Sequence, residues 1–165
     1  MAKITLKGNQ VNTIGNLPAK GTAAPEFALV KSDLGTMTLS ELKGKKVVLS
    51  ISPSFDTSIC ATSVRKFNQL AAGKKNVVVL AITKDLPFAH SRFCTTEGIT
   101  NVTALSGFRD KDFGKSYGIE LIDGPFEGLY ARSLIVIDEA GKVLYTQLVP
   151  EIATDADYDA ALAVL

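Results

Sequence analysis

Val47-Val48-Leu49-Ser50-Ile51-Ser52-Pro53-Ser54-Phe55-Asp56-Thr57-Ser58-Ile59-Cys60 reads as a strand that stops and a helix that begins. Val47 to Ile51 is apolar and rich in β-branched residues, and Ser52-Pro53 ends it because proline has no amide to give to a sheet ladder. Beyond it, Cys60, Val64, Phe67 and Ala71 recur at helical spacing on one face while Arg65, Lys66 and Asn68 fall elsewhere. Gly73 stops that helix. Val77 to Ile82 is a continuous apolar run, as expected for a strand covered on both sides.

Working outward, Pro87 suits the first turn of a helix over Phe88 to Glu97, with Gly98 as its stop. Val102 to Leu105 is a weaker strand, and Asp110 to Tyr117 a short helix. Ser133 to Ile137 and Val143 to Leu148 flank Asp138-Glu139-Ala140-Gly141 as a β-hairpin, and Thr154 is expected to cap a closing helix over Asp155 to Leu165. Upstream, Lys3 to Ile14 reads as a hairpin with a Gly8-Asn9 turn. Pro18, Gly21 and Pro25 mark an irregular stretch, and Thr38 or Ser40 should cap a short helix over Leu39 to Lys43. Alternating strands and helices imply crossover connections, hence an α/β fold with a central mixed sheet flanked by helices, the thioredoxin-like arrangement with an added N-terminal β-hairpin at about residues 3–15. Residues 1–165 are expected to form a single domain.

Composition narrows the function. The chain is 46% hydrophobic and 21% charged with a formal net charge of +1, ordinary for a globular protein. No basic stripe with interleaved aromatics is present, so nucleic acid is not an expected partner. No long apolar run and no signal peptide are visible, so no membrane association and a cytoplasmic location are expected. Two cysteines and one histidine are too few for a zinc site, and neither a metal nor a cofactor is expected. His90 is expected on an exposed face with no role. The cysteines are either packing or redox chemistry.

With Thr57 as N-cap, Cys60 is the third residue of its helix, beside unpaired amides and the positive end of the helix dipole. Both favour thiolate, the nucleophilic form. Lowering a cysteine pKa from ~8.5 to ~6 takes about 3.4 kcal/mol, whereas a helix end contributes ~0.3–1 and at best about 2. A second cation is therefore needed.

Pro53-x-x-x-Thr57-x-x-Cys60 resembles the P-x-x-x-T/S-x-x-C signature of peroxiredoxins. Asp56 to Asn68 resembles the thiol peroxidase subfamily, of the atypical two-cysteine type, as do Asp85-Leu86-Pro87-Phe88-Ala89, Arg92-Phe93-Cys94, Phe108-Arg109-Asp110 and Leu148-Val149-Pro150-Glu151. Ser58 departs from it in a slot where proline is common.

The resemblance implies that Cys60 is the peroxidatic cysteine and that Cys94 resolves its sulfenic acid as an intrachain disulfide. It implies that Thr57 bonds peroxide and thiolate, that Pro53 shields the sulfenic acid, and that Arg132 supplies the missing cation. It further implies hydrogen peroxide or alkyl hydroperoxide as substrate, thioredoxin as reductant and a homodimer. Read without it, Arg132 is a strand-end surface charge and Cys94 a small buried hydrophobe. Joining the two helices should require local unwinding, because disulfides tolerate only short Cα separations.

Phe55, Phe88 and Phe93 are expected around the site. Two other redox readings compete. A dithiol oxidoreductase would need a second thiol where Cys60-Ala61-Thr62-Ser63 has none, which leaves a monothiol glutaredoxin-like enzyme. A single-use peroxide sensor or chaperone-like module would use the same cysteine without turnover.

Overall fold

A computed structural model describes residues 1–165. The strands are β1 (Lys3–Leu6), β2 (Asn9–Asn12), β3 (Ala28–Lys31), β4 (Thr36–Thr38), β5 (Lys46–Ile51), β6 (Val77–Thr83), β7 (Thr103–Ser106), β8 (Ser133–Ile137) and β9 (Val143–Leu148). The helices are α1 (Ser58–Ala71), α2 (Pro87–Glu97), α3 (Phe113–Ser116) and α4 (Tyr158–Leu162), with one 3-10 turn at Ser40–Leu42.

Seven strands make one mixed sheet in the order β4-β3-β7-β6-β5-β8-β9. β5, β6 and β7 run parallel, as their helical crossovers require, and the remaining pairings are antiparallel. The centre is buried on both faces: Val47, Leu49 and Ile51 pack with Phe27, Leu80, Phe113 and Tyr130 on one side, while Val48 packs with Val64, Phe67 and Tyr158 on the other. Helices α1 and α4 thus cover one face and α3 the opposite one, which is the expected thioredoxin-like layering. No helix is long and apolar enough to cross a membrane.

Several local expectations are corrected. The N-terminal hairpin turns at Lys7-Gly8, not Gly8-Asn9: Leu6 pairs with Asn9, and both turn residues have positive φ, 51° and 81°. That backbone suits the right-handed twist of a two-residue hairpin, at some cost at the lysine. The stretch after Pro25 holds the hairpin β3–β4, which turns through Asp33 and Gly35 and pairs antiparallel with β7. Around Ser40 neither Thr38 nor Ser40 caps the turn; the Glu26 carboxylate accepts the Leu39 amide at 2.7 Å and that of Ser40 at 3.2 Å.

The last two helices are shorter than expected. Asp110 accepts the Asp112 and Phe113 amides ahead of α3. Asp157, not Thr154, caps α4 by accepting the Ala160 amide at 3.0 Å, because the Thr154 hydroxyl donates to Glu151 O.

Candidate active site

β5 delivers the chain to Pro53, which is buried, and a tight loop returns it to the start of α1. Thr57 is extended (φ −86°, ψ 143°), and its Oγ1 accepts the Cys60 amide at 3.4 Å, so the expected N-cap is in place. The same hydroxyl donates to Ser54 O at 3.0 Å, which fixes its proton away from the sulfur. Cys60 has no exposed surface.

Arg132, just before β8, is 3% exposed rather than a surface charge. Its Nε donates to Ile152 O at 2.9 Å and its Nη2 to Cys60 Sγ at 3.2 Å. The side chain of Arg132 pairs with no carboxylate, and its Nη1 is buried without a partner. Placing a lone cation out of water is costly unless an anion compensates it, and the sulfur is the group in contact. Thr57, Ser58, Ile59 and Arg132 face a cleft of about 300 Å³ whose far wall is Leu6, Lys7, Phe126, Ile152 and Ala153.

The N-terminal hairpin therefore forms one side of the cleft. It is held by Glu151, whose carboxylate accepts Thr5 Oγ1 at 2.7 Å and the Lys7 and Gly8 amides at 2.9 and 3.1 Å. These bonds, with one from the Ala153 amide, hold the Glu151 carboxyl down at about 2, the Thr5 hydroxyl contributing most.

Cys94 lies elsewhere. It sits half-buried on α2, packed against the core on the α1 side of the sheet, and faces an open cavity of about 320 Å³ shared with Lys31, Asp33, Ile99 and Thr103. Burial pushes its thiol pKa up. Both cysteines are free thiols, and the bidentate ion pair Arg65–Glu97 (2.7 and 2.8 Å) clips α1 to α2.

Three residues near the site were given no part by the sequence. His90 is fully buried, not exposed, with Nε2 at 2.7 Å from Thr83 Oγ1. Burial lowers its pKa to about 4 against the opposing pull of Asp85, so the ring is neutral at pH 7. Asp85 accepts Ser54 Oγ and the Phe55 amide, each at 2.8 Å. Tyr158 on α4 shares a short hydrogen bond with Ser63 one turn beyond Cys60 and stacks edge-on to Phe67. Of the three phenylalanines, Phe55 is buried against Phe93 and His90, whereas Phe88 is 67% exposed and forms no part of the cleft beside Arg132.

Known proteins resemble this chain from end to end. Residues 19–162 match the Redoxin family. The thiol peroxidase of Corynebacterium glutamicum is 56% identical over 165 residues, which is 100% of this chain and 99% of that protein. The thiol peroxidase of Mycobacterium tuberculosis is 53% identical over the same shares. Among solved structures, a peroxiredoxin-like protein from Aquifex aeolicus is 40% identical with a TM-score of 0.94, covering 99% of this chain and 95% of that one. A thiol peroxidase from Chromobacterium violaceum, 23% identical, shares the fold at a TM-score of 0.90 over the same shares of the two chains.

Proposed function

This chain belongs to the redoxin family and, within it, to the thiol peroxidases, and from that premise we propose that Cys60 reduces hydroperoxides and Cys94 regenerates it. The observation that carries the reading is the 3.2 Å contact from Arg132 Nη2 to Cys60 Sγ beside the start of α1. It supplies the cation that the helix end alone lacks.

In the first step the Cys60 thiolate attacks one peroxide oxygen and the O–O bond breaks. The sulfur becomes a sulfenic acid, and the departing alkoxide or hydroxide takes up a proton to leave as alcohol or water. The uncommitted Nη1 of Arg132 is the donor we assign to the developing oxygen anion, since a fixed donor costs no reorganisation as charge appears. Thr57 joins it by turning its hydroxyl from Ser54 O toward the incoming peroxide. Pro53 keeps water from the sulfenic acid at the buried exit of β5. Apolar Leu6, Phe126 and Ile152 on the cleft wall suit alkyl hydroperoxides as well as hydrogen peroxide.

In the second step the Cys94 sulfur attacks that of Cys60 and expels hydroxide, which leaves as water once protonated, giving an intrachain disulfide. Because Cys60 is fully buried and Cys94 lines a separate cavity from the last turn of α2, the chain must unwind locally around the cysteines first. Oxidation favours this: a neutral sulfenic acid no longer balances the buried guanidinium. A dithiol protein of the thioredoxin type then reduces the disulfide. We assign residues 1–165 to one working unit in the cytoplasm, paired as a homodimer through the exposed apolar side chains of Leu86, Phe88 and Phe108.

Multiple turnovers with hydroperoxide, thioredoxin, thioredoxin reductase and NADPH test the reading. Cys60→Ser abolishes activity, whereas Cys94→Ser keeps one stoichiometric oxidation and loses turnover. Equal activity in both variants and the parent defeats it.

A further inference from the structure

Asp85, in the loop just after β6, makes more hydrogen bonds than a loop carboxylate needs. Oδ1 accepts Ser54 Oγ at 2.8 Å, and Oδ2 accepts the Phe55 amide at 2.8 Å and Thr83 Oγ1 at 2.9 Å. Ser54 and Phe55 are the residues that lead into the cap at Thr57, whose hydroxyl donates to Ser54 O. Asp85 therefore holds the loop that shapes the start of α1.

The other side of this network belongs to α2. A threonine hydroxyl has one proton, and the bond to a carboxylate is the stronger use of it. Thr83 Oγ1 then accepts from His90 Nε2 at 2.7 Å, which leaves the buried Nδ1 without a partner, as found. Phe55 in turn lies between the His90 ring, at 4.5 Å and 31°, and the Phe93 ring, at 4.9 Å. Cys94 follows Phe93 directly. One carboxylate and one phenyl ring thus tie the Cys60 loop to the helix that carries Cys94.

We propose that Asp85 is a positioning residue, a latch that holds the loop before Cys60 and the first turns of α2 in the arrangement suited to peroxide attack, and that its release gates disulfide formation. The inference rests on the peroxidase reading. While the latch is closed, Thr57 and the α1 amides stay aimed at Cys60, and Cys94 stays half-buried with its pKa raised. When it opens, Phe55 leaves the His90–Phe93 stack, α2 loosens, and Cys94 gains both reach and water. The Cys94 thiolate can then attack the sulfenic sulfur: the S–S bond forms, the S–O bond breaks, and hydroxide leaves to be protonated to water.

The latch slows one step and speeds the other, which a merely structural role would not do. Rapid-quench mass spectrometry of the full chain resolves thiol, sulfenic acid trapped by a 1,3-dione, disulfide and sulfinic acid. Asp85→Asn is expected to slow sulfenic acid formation roughly tenfold and to speed its conversion to disulfide at least threefold, with less sulfinic acid at excess peroxide. Ser54→Ala, which removes one bond and leaves the carboxylate, should move both rates in the same directions by smaller factors and covers the case in which Asp85→Asn folds poorly. Disulfide formation slowed or unchanged in the variants that fold overturns the proposal. Absence of any sulfenic acid in the parent chain overturns instead the peroxidase reading beneath it.

Discussion

Replacing Arg132 by glutamine isolates the electrostatic part of the mechanism. At 3.2 Å from Nη2 to Sγ, a unit charge pair at an effective dielectric of 20 interacts by about 5 kcal/mol. The guanidinium spreads its charge over three nitrogens, and net hydrogen bonds to charged groups are worth ~1.5–3 kcal/mol. About 3 kcal/mol is thus the expected loss, and at 1.36 kcal/mol per decade the second-order rate of Cys60 oxidation should fall roughly a hundredfold. The chain has no tryptophan, so the assay is rapid quench with thiol counting under a slight excess of hydrogen peroxide. Arg132→Lys keeps a charge but not the fork or the Nε anchor on Ile152 O, and should recover part of the rate, leaving about a tenfold deficit. Removing Arg132 also takes the donor from Ile152 O, so the thermal midpoint of each variant is measured alongside the rate to separate lost chemistry from lost folding. A glutamine variant that oxidises within threefold of the parent would refute the claim that this cation activates the sulfur.

Other outcomes follow from buried or bridging groups. His90 has a folded pKa of about 4, below the ~6.5 of the unfolded chain, so acid protonates the unfolded state first. Its contribution is fully present above pH 6.5 and is lost as pH falls toward 4, about 3 kcal/mol in all; His90→Gln should flatten denaturant midpoints across that window, and an unchanged slope rejects the assignment. Glu151 is held at about 2, so its contribution is present above its ordinary range near 4.5 and fades only as pH drops toward 2. Glu151→Ala should speed amide exchange at Lys7 and Gly8 about tenfold at neutral pH while exchange in β5 stays unchanged; equal protection there shows the hairpin to be held otherwise.

The sequence made β5, α1 and β6 legible because long apolar runs and a full helical face are set by burial on both sides of a sheet. The hairpin β3–β4 was not legible: its strands are four and three residues long, and their pairing depends on β7, more than seventy positions away. Thr57 and Arg132 both contact Cys60, and only the fold could reveal that the arginine has no carboxylate partner. His90 was misplaced because α2 is weakly amphipathic and burial is decided by Phe55, thirty-five positions upstream. Tyr158 was missed because its partner Ser63 is 95 positions away. Asp85 carried a visible signal, an acidic residue just ahead of Pro87 and α2, but its partners lie across the site in the loop before Thr57.

The bridge from Thr5 to Glu151 spans 146 positions of the chain, and the contact from Cys60 to Arg132 spans 72. A ribosome therefore exposes the first strand and the cysteine long before either has its counterpart. During synthesis the sulfur has neither its guanidinium nor the pocket around it. Only when nearly the whole polypeptide has emerged can both ends meet and the pocket close, so the surroundings of this sulfur are among the last parts of the fold to be assembled.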